Sequence, residues 1–339
     1  MLGYLLRRLI QAVPVALGVT FLVFLLLWLT PGDPVEIFLG QTGLVTEEEV
    51  ARIRREFGLD QPFLAQYGRF LGGLVRGDLG ISIIKRRPVL DVLMEHLPAT
   101  LELTVFAALI ALFVGVPAGV LAAVRRRSLW DMGSTLVALA GISLPGFWLG
   151  LILIVIFAVN LKIFPVAGRS GFAAGLTPRT GFLVLDALLQ HNFQALGDAL
   201  RHLVLPAVAM STGMMAMTMR LVRSSLLETL NQEYVRTARA KGLPERRVIL
   251  RHALRNGLLP VVTAVALNLG ALLSGNMVVE TVFAWPGVGR LVVQAIQTRD
   301  YPVVQAGVLF YAFTFVILNL LADLSYAWLD PRIHHGRAR

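Results

Sequence analysis

The chain has 339 residues, of which 56% are hydrophobic and only 15% are charged, and its mean hydropathy is +0.71. Soluble domains carry about 25% charged residues, so the composition excludes an ordinary soluble protein and indicates a membrane protein. The absence of cysteine excludes disulfides, thiol catalysis and thiolate metal sites.

The net charge of +10 reflects 31 Lys and Arg against 21 Asp and Glu. In a soluble chain this excess would suggest nucleic-acid binding. In a membrane protein it is typical of a surface that faces anionic lipid. Because the charges lie between long apolar stretches, we expect membrane lipid as a partner and no nucleic acid.

Six apolar stretches are long enough, or nearly so, to cross a bilayer as helices, which takes about 20 residues. Each lies between two charged residues: Arg8 and Asp33, Glu102 and Arg125, Asp131 and Lys162, Arg201 and Arg220, Arg255 and Glu280, Asp300 and Asp323. The first stretch exceeds the about 7–15 apolar residues of a secretory signal peptide, so we predict an uncleaved helix there. The sequence therefore predicts an all-α polytopic membrane protein with six transmembrane helices.

Lysine and arginine are unevenly distributed among the segments that join these stretches. If the N-terminus is inside, the inner segments hold far more of them than the short outer loops. These inner segments are 1–8, 125–131, 220–255 and 330–339. The positive-inside rule therefore predicts that both termini face the cytoplasm.

This orientation divides the chain into four parts. We expect a first transmembrane helix at 1–30, an extracytoplasmic helical loop at 31–98 and a cytoplasmic tail at 330–339. Between them, a five-helix core at 99–329 would contain a cytoplasmic loop at 223–257.

The outer loop carries signals for two helices. Thr46 and Glu49 are spaced as a capping box, and Gly58 is typical of a helix end. We therefore predict one helix within 46–59 and a second at about 63–76.

The cytoplasmic loop also carries signals for two short helices. Thr229 and Gln232 are spaced as a capping box for the first helix. Gly242 suits a left-handed turn at its end, and Pro244 suits the start of the next helix. We therefore predict a helix, a glycine turn and a second helix over 230–257, lying at the cytoplasmic surface.

The second of these helices is amphipathic. Its apolar arc consists of Ile249, Leu250, Ala253 and Leu254, and an adjacent stripe consists of Arg247, Arg251 and Arg255. A helix lying on lipid headgroups would explain the stripe. It would not explain the small residues within 238–242, which would allow the backbone of another protein to approach closely.

The segment "EYVRTARAKGLPERRVILRHALRNGLLP", residues 233–260, resembles the cytoplasmic coupling loop of bacterial ABC-importer permeases. The family pattern is Glu-Ala-Ala, three residues, Gly and a later Leu-Pro, and Ala238 and Gly242 match it. Arg236 and Thr237 replace the Glu and the first Ala. This departure is typical of the dipeptide/oligopeptide B-subunit type.

Further stretches resemble the same family along most of the chain. They are "LTPGDP" (29–34), "FGLDQP" (57–62), "RGDLGIS" (76–82), "LPATLEL" (97–103), "ISLPGFWLG" (142–150), "FPVAG" (164–168), "VETVFAWPGVGRL" (279–291) and "LDPRI" (329–333). Each stretch alone is a weak signal, but their order and spread make the resemblance specific.

The resemblance implies a type I ABC-importer permease architecture in a bacterial inner membrane. This chain would be the pore-forming subunit for di- and oligopeptides, paired with a second homologous permease in a heterodimer. Two ATPase subunits and an extracytoplasmic substrate-binding protein would complete the importer. Nickel complexes and glutathione are alternative substrates of permeases of this type.

ATP and Mg²⁺ are expected on the partner subunits, and no cofactor is expected in this chain. A phosphate-binding loop requires the pattern GxxxxGK[ST], and none of Lys85, Lys162 and Lys241 follows a glycine. The chain also lacks a GxSxG nucleophile motif, so we expect a transport subunit and not an enzyme. A secondary transporter is the alternative from another class. It would need inverted repeats and ionisable residues at the membrane midplane, which the sequence does not display.

The resemblance places the contact with the ATPases on the basic loop. The expected contact residues are Arg236, Thr237, Ala238, Arg239, Ala240, Lys241, Gly242, Arg247 and Arg251.

Candidate residues of the translocation pathway are Met210, Met214, Met217 and Glu280. The three methionines share one helical face, where packing is the simpler interpretation. Acids at span ends, such as Glu102 and Glu280, are expected to be interfacial or paired. No HxxxH pair or His–carboxylate cluster falls within a span, so no metal site is predicted.

Overall fold

The computed structural model describes residues 2–29, 47–56, 60–171, 176–275 and 277–329. Within them, every regular element is a helix apart from one isolated antiparallel bridge between Ile81 and Pro88. The helices are α1 (Leu2–Leu29), α2 (Glu47–Glu56), α3 (Phe63–Val75), α4 (Val89–Val124), α5 (Leu129–Ser143), α6 (Gly146–Leu153, continued by a π-helix Ile154–Asn160), α7 (Leu183–Leu189), α8 (Phe193–Leu230), α9 (Glu233–Ala240), α10 (Glu245–Arg247, continued by a π-helix Val248–Ala253), α11 (Leu254–Gly257), α12 (Leu259–Gly275), α13 (Met277–Val282), α14 (Val288–Gln297) and α15 (Tyr301–Leu329). The prediction of an all-α chain is confirmed.

The chain divides into two compact units. The first unit combines Met1–Thr100 with Pro286–Val316, and the second combines Leu101–Trp285 with Ile317–Arg339. Helices α4 and α15 each contribute residues to both units.

In the first unit, an aromatic cluster holds α3 against α1. The ring of Phe24 lies 5.4 Å from that of Phe63, 5.5 Å from Tyr67 and 5.6 Å from Phe70, measured between centroids. The hydroxyls of Thr20 and Tyr67 lie 2.9 Å apart. The second helix of the outer loop, predicted at about 63–76, is therefore confirmed, and its aromatic face explains its position.

A buried carboxylate joins two turns of the same unit. Asp300, between α14 and α15, accepts hydrogen bonds from the Ser82 hydroxyl at 2.5 Å and from the amides of Ile83 at 3.0 Å and Ile84 at 3.3 Å. Nearby, the amide of Val288 donates to the Thr100 hydroxyl at 2.8 Å. These bonds fix the chain just before α4 and the start of α14.

In the second unit, α8 is the central helix and contacts α5, α6, α7 and α12. Two glycines allow α4 to lie close to α8. A Cβ on Gly119 would lie 2.6 Å from the carbonyl oxygen of Met219, and one on Gly115 would lie 2.9 Å from that of Met215. Only glycine fits at such distances, which is a common basis of helix packing in membranes.

Three of the described helices are long and apolar enough to cross a membrane: Val89–Val124, Phe193–Leu230 and Tyr301–Leu320. The number rises to five if each of two bent helix pairs forms one span. Helix α1 contains a shorter apolar stretch, Val13–Leu26. The chain is thus a polytopic membrane protein, while the count of six spans stays a prediction.

The third predicted span, between Asp131 and Lys162, is broken. Helices α5 and α6 meet at an angle of 107°. Leu144 and Pro145 are extended, with ψ angles of 128° and 132°. Proline disfavours helix in the residue before it and has no N–H of its own to continue the ladder, which explains the break.

The predicted bounds of the outer loop can be compared with the helices at its two ends. Helix α2 was predicted within 46–59 and is observed at Glu47–Glu56, whereas its predicted capping residue Thr46 and terminal Gly58 lie outside the described residues. The boundary of the five-helix core at residue 99 falls inside α4, which already begins at Val89. The division of the chain into four parts stays a prediction.

Candidate functional site

The basic loop folds as helix, glycine turn and helix, as predicted. Helix α9 ends at Ala240, and Gly242 follows with a φ of +75°. The amide of Gly242 donates a hydrogen bond to the carbonyl oxygen of Arg239 at 2.9 Å. A residue with a side chain adopts this left-handed conformation only at a cost in free energy, so glycine is the residue best suited to this position.

The predicted capping box of the first helix is wrong. Thr229 lies inside α8, where its hydroxyl donates to the carbonyl oxygen of Ser225 at 2.8 Å. Gln232 precedes α9 but makes no side-chain capping hydrogen bond. Helix α8 therefore continues to Leu230, and only a short turn separates it from α9. Pro244 likewise precedes the first residue of α10, with a φ of −63°.

The inner face of the loop is an apolar cluster. Val235 and Ala238 of α9 pack with Val248 and Ala253 of the next helix and with Leu226 of α8. Ala238 is only 7% exposed. The idea that its small side chain leaves room for a partner was therefore wrong. The alanine instead lets α9 lie close to the chain's own core.

The predicted apolar arc of the second helix is only partly correct. Ala253 is buried, but Leu250 is 49% exposed, and the fully buried Val248 was not assigned to the arc. Residues 248–253 form a π-helix, whose wider turn shifts the buried positions relative to an α-helix. The sequence gives no clear signal for this shift.

The outer face of the loop, here called the coupling surface, contains the remaining predicted contact residues. All are exposed: Arg236, Thr237, Arg239, Ala240, Lys241, Gly242, Arg247 and Arg251. Arg239 pairs with Glu245 across the glycine turn, with 2.7 Å between Nη2 and Oε1. Arg236 pairs with Glu233 at 2.8 Å within α9. The surface is thus strongly basic, and its turn is braced by an ion pair.

Polar contacts tie the loop to itself and to α8. The hydroxyl of Ser225 in α8 donates to the carbonyl oxygen of Gly257 at 2.8 Å. The side-chain amide of Asn256 donates to the hydroxyl of Tyr234 at 2.9 Å. The apolar cluster joins α9 to α8 directly, and these two bonds join them through α11.

The candidate pathway residues are spread over two helices. Met210 and Met214 of α8 are 8% and 5% exposed, which agrees with a packing role in this chain. Met217 is 37% exposed, and its sulfur accepts a hydrogen bond from the Asn268 side chain at 3.2 Å. Glu280 on α13 is fully buried. Their place in a pathway stays a prediction.

Glu102 is a paired carboxylate, as expected for an acid at a span end. It is 4% exposed, and its Oε2 accepts from Nη2 of Arg169 at 2.7 Å. Its Oε1 accepts from the amide of Val184 at 2.8 Å. Arg169 also donates to the carbonyl oxygen of Gly181 at 2.8 Å and lies 6.0 Å from the ring of Trp285. No local sequence pattern identifies Arg169 as the partner of Glu102, because the two residues are 67 positions apart.

A second carboxylate orders the same loop. Burial alone would raise the pKa of Asp186, but hydrogen bonds from the Thr180 hydroxyl and from the amides of Thr180, Arg179 and Gly181 outweigh burial and lower it. The ionised form is therefore the structural one. Asp323 is the acid that ends the sixth apolar stretch, and its side chain lies outside the described residues.

No cluster of three or more His, Asp or Glu side chains suited to a metal ion occurs in the described part of the chain. The described features of the second unit are a basic surface braced by an ion pair, a central helix linked to it, and ion pairs that order the loops.

Comparison with known proteins places the chain in context. Residues 115–335 match the family described as "Binding-protein-dependent transport system inner membrane component". Residues 1–104 match the family described as "Binding-prot-dependent transport system membrane comp, N-term". Together, the two matches cover most of the chain.

Several curated proteins are similar over their whole length. The Dipeptide transport system permease protein DppB of Escherichia coli (strain K12) is 45% identical over 99% of this chain and 100% of its own length. The Di/tripeptide transport system permease protein DppB of Pseudomonas aeruginosa (strain UCBPP-PA14) is also 45% identical, with the same coverage. The Dipeptide transport system permease protein DppB of Alkalihalophilus pseudofirmus is 41% identical over 99% of this chain and 100% of its own length.

Proposed function

The chain belongs to the family of binding-protein-dependent transport system inner membrane components, and from this premise we propose that it is the pore-forming permease subunit of an ATP-driven importer of di- and oligopeptides. Membership makes it a multi-pass inner-membrane protein and a transport component that works with ATPase and substrate-binding partners. The peptide substrate, the exact assembly and the contact residues belong to the proposal.

The coupling surface is the observation that carries this proposal. It is exposed and basic, it is braced across the turn by Arg239 and Glu245, and the inner face of α9 packs against Leu226 of α8. A ligand shifts a conformational equilibrium only if it binds one state more tightly than the other. Reversing access from 1:99 to 99:1 takes about 5.5 kcal/mol of such differential binding. A rigid surface that packs against the central helix α8 is suited to supply this difference in binding free energy.

The energy source would lie on other chains. None of the lysines of this chain follows a glycine, so the sequence lacks the GxxxxGK[ST] phosphate-binding loop. ATP and Mg²⁺ would therefore bind to two ATPase subunits that dock on the 230–257 loop. A second homologous permease would complete a heterodimer, and an extracytoplasmic binding protein would deliver the substrate.

Peptides are the substrate class that the relatives support best. Proteins at 41–45% identity over essentially the full length are named for dipeptide or di/tripeptide transport. Nickel complexes and glutathione gain no comparable support among these relatives. A secondary transporter is disfavoured by the family itself, whose description requires a binding protein.

Reconstitution into liposomes tests the proposal. The chain is co-expressed with its companion permease and ATPases, and uptake of a radiolabelled dipeptide is measured with the binding protein outside. We expect uptake that requires ATP on the ATPase side and persists when an uncoupler collapses the proton gradient. Uptake that persists without ATPases, or that stops with the uncoupler alone, would contradict the proposal.

A further inference from the structure

The turn that joins α4 to α5 is a second basic surface, separate from the coupling surface. It contains Arg125, Arg126 and Arg127 in succession, and all three are exposed. Among the described residues, none of the three guanidinium groups forms an ion pair with a carboxylate. Three adjacent positive charges in a membrane protein therefore face outward without an acidic partner from the described part of the chain.

The acid nearest in sequence, Asp131, is already occupied. Its Oδ2 accepts from Nη2 of Arg223 at 3.0 Å and from the backbone amide of Arg127 at 2.9 Å, and its Oδ1 accepts from Nε of Arg223. Asp131 is only 6% exposed. Arg223 is thus the ion-pair partner of this carboxylate, and although Arg126 also attracts it, the three exposed arginine side chains of the turn stay accessible to an external anion.

The basic turn opens directly onto an apolar groove. The groove is lined by Arg127, Ser128, the paired carboxylate Asp131 and Thr135, together with the apolar side chains of Leu129, Met132 and Leu136. These three apolar side chains are 84%, 62% and 57% exposed, and their spacing places them along one face of α5. The groove along α5 therefore has a positively charged end at Arg127 and an apolar wall formed by Leu129, Met132 and Leu136.

Two neighbouring features match the polarity of a membrane interface. Trp130, at the start of α5, is 59% exposed, and tryptophan is enriched where headgroups meet hydrocarbon. A second groove lies on the other side of Thr135 and is lined by Leu139, Ile142 and Arg220 among others. The two grooves share Thr135, so the grooved surface continues along α5.

We propose that this turn and groove bind an anionic phospholipid. Arg126 and Arg127 hold the phosphate, and one acyl chain lies along Leu129, Met132 and Leu136. Charge complementarity favours this occupant, because the turn supplies cations and no competing free acid. A soluble protein such as an ATPase would match the arginines but would leave the apolar wall uncovered. A lipid satisfies both ends of the site.

Native mass spectrometry of the intact importer tests the proposal. The complex is incubated in detergent with equal amounts of phosphatidylglycerol and phosphatidylcholine that carry identical acyl chains, and the retained lipids are counted. The wild type should retain phosphatidylglycerol preferentially. The double variant Arg126→Gln/Arg127→Gln should lower the ratio of retained phosphatidylglycerol to phosphatidylcholine at least about fivefold, the factor expected for one arginine at an anionic surface.

Two further variants separate the phosphate contact from the acyl-chain contact and from net charge. Met132→Asn should reduce retention of both lipids and leave their ratio near the wild-type value. Arg201→Gln removes an exposed charge from α8, outside the proposed site. It should change neither the amount of lipid retained nor the ratio of the two lipids. These substitutions lie on exposed positions, so the complex should still assemble.

Three outcomes would overturn the proposal. An unchanged lipid ratio in Arg126→Gln/Arg127→Gln would show that these arginines do not select the headgroup. An equal drop in Arg201→Gln would show a general effect of net charge. Loss of the ATPase subunits from the double variant, with its lipid ratio unchanged, would show that the turn is a protein contact.

Discussion

Replacing Gly242 should uncouple ATP hydrolysis from transport without unfolding the chain. Gly242 has a φ of +75°, and a Cβ built on it would meet no atom within 4 Å. The effect of a substitution is therefore conformational and not steric. It acts on the turn that connects the two helices of the coupling surface.

The size of the effect follows from the cost of the left-handed conformation. For a residue with a Cβ this cost is roughly 1–2 kcal/mol, which lowers the population of the native turn about 5–30-fold. Asparagine tolerates the conformation better than alanine, and a β-branched residue tolerates it worst. We therefore expect transport to decrease in the order Gly, Asn, Ala, Val, with Gly242→Val close to inactive.

Uptake of a labelled dipeptide and ATPase activity stimulated by the binding protein are measured for each variant in liposomes. Gly197→Ala is the matched control, because Gly197 lies in α8, has no positive φ and has no atom within 4 Å of an added Cβ. All variants should insert normally. Wild-type transport and stimulated ATPase activity in Gly242→Val would refute the reasoning.

Three other side-chain changes have expected outcomes. Arg239→Gln should lower uptake about tenfold or more, because Arg239 is a proposed contact with the ATPase; loss of its exposed ion pair with Glu245, worth about 0–1 kcal/mol, would account for no more than about fivefold. Glu102→Gln should destabilise the protein in thermal unfolding by up to about 3 kcal/mol, because Arg169, whose side chain is only 16% exposed, would lose its charged partner. Asp186→Asn should make the loop before α7 protease-sensitive at neutral pH, because it removes the ionised carboxylate that accepts the hydrogen bonds of this loop. The lowered pKa of Asp186 stabilises the folded chain at pH values above 3.8, the pKa in the unfolded chain, and this stabilisation is lost as the pH falls through the folded pKa.

Controls for these variants come from the same units of the chain. Glu228→Gln removes an exposed acid from α8 and should leave thermal unfolding unchanged. A melting temperature as low in Glu228→Gln as in Glu102→Gln would contradict the role of the buried pair. A loss of uptake of about fivefold or less in Arg239→Gln would contradict a contact between this arginine and the ATPase, since loss of the ion pair alone would explain it. For Asp186→Asn, proteolysis equal to that of the wild type at pH 7 would contradict the structural role of the ionised form.

The parts of the fold that local chemistry determines could be predicted from the sequence. Long charge-free stretches predicted the apolar helices, since the hydrocarbon core imposes their length. Gly242 predicted the end of α9, because only glycine adopts its backbone cheaply. Each of these signals depends on residues that are close together in the chain.

The features that the sequence missed depend on longer-range packing or on backbone adjustments. The partner of Glu102 is Arg169, which lies 67 positions away, and no local pattern indicates it. The π-helix at Val248–Ala253 moves Val248 inward and leaves Leu250 exposed. Ala238 has the small side chain that a partner contact would favour, yet tertiary packing places it in the core. The capping-box spacing at Thr229 was overridden by continuation of α8.

Site-specific cross-linking tests the central claim most directly, and the chain is well suited to it because it contains no cysteine. Single cysteines are introduced at Ala240, which is exposed on the coupling surface, and at Ala238, which is buried two residues away. A short homobifunctional thiol cross-linker is then applied to the assembled importer, whose ATPase carries one cysteine in its docking groove. We expect Ala240→Cys to form a cross-link with the ATPase that changes in yield on ATP addition, and Ala238→Cys to form little or none. Failure of Ala240→Cys to cross-link in an importer that still transports dipeptide would contradict the account.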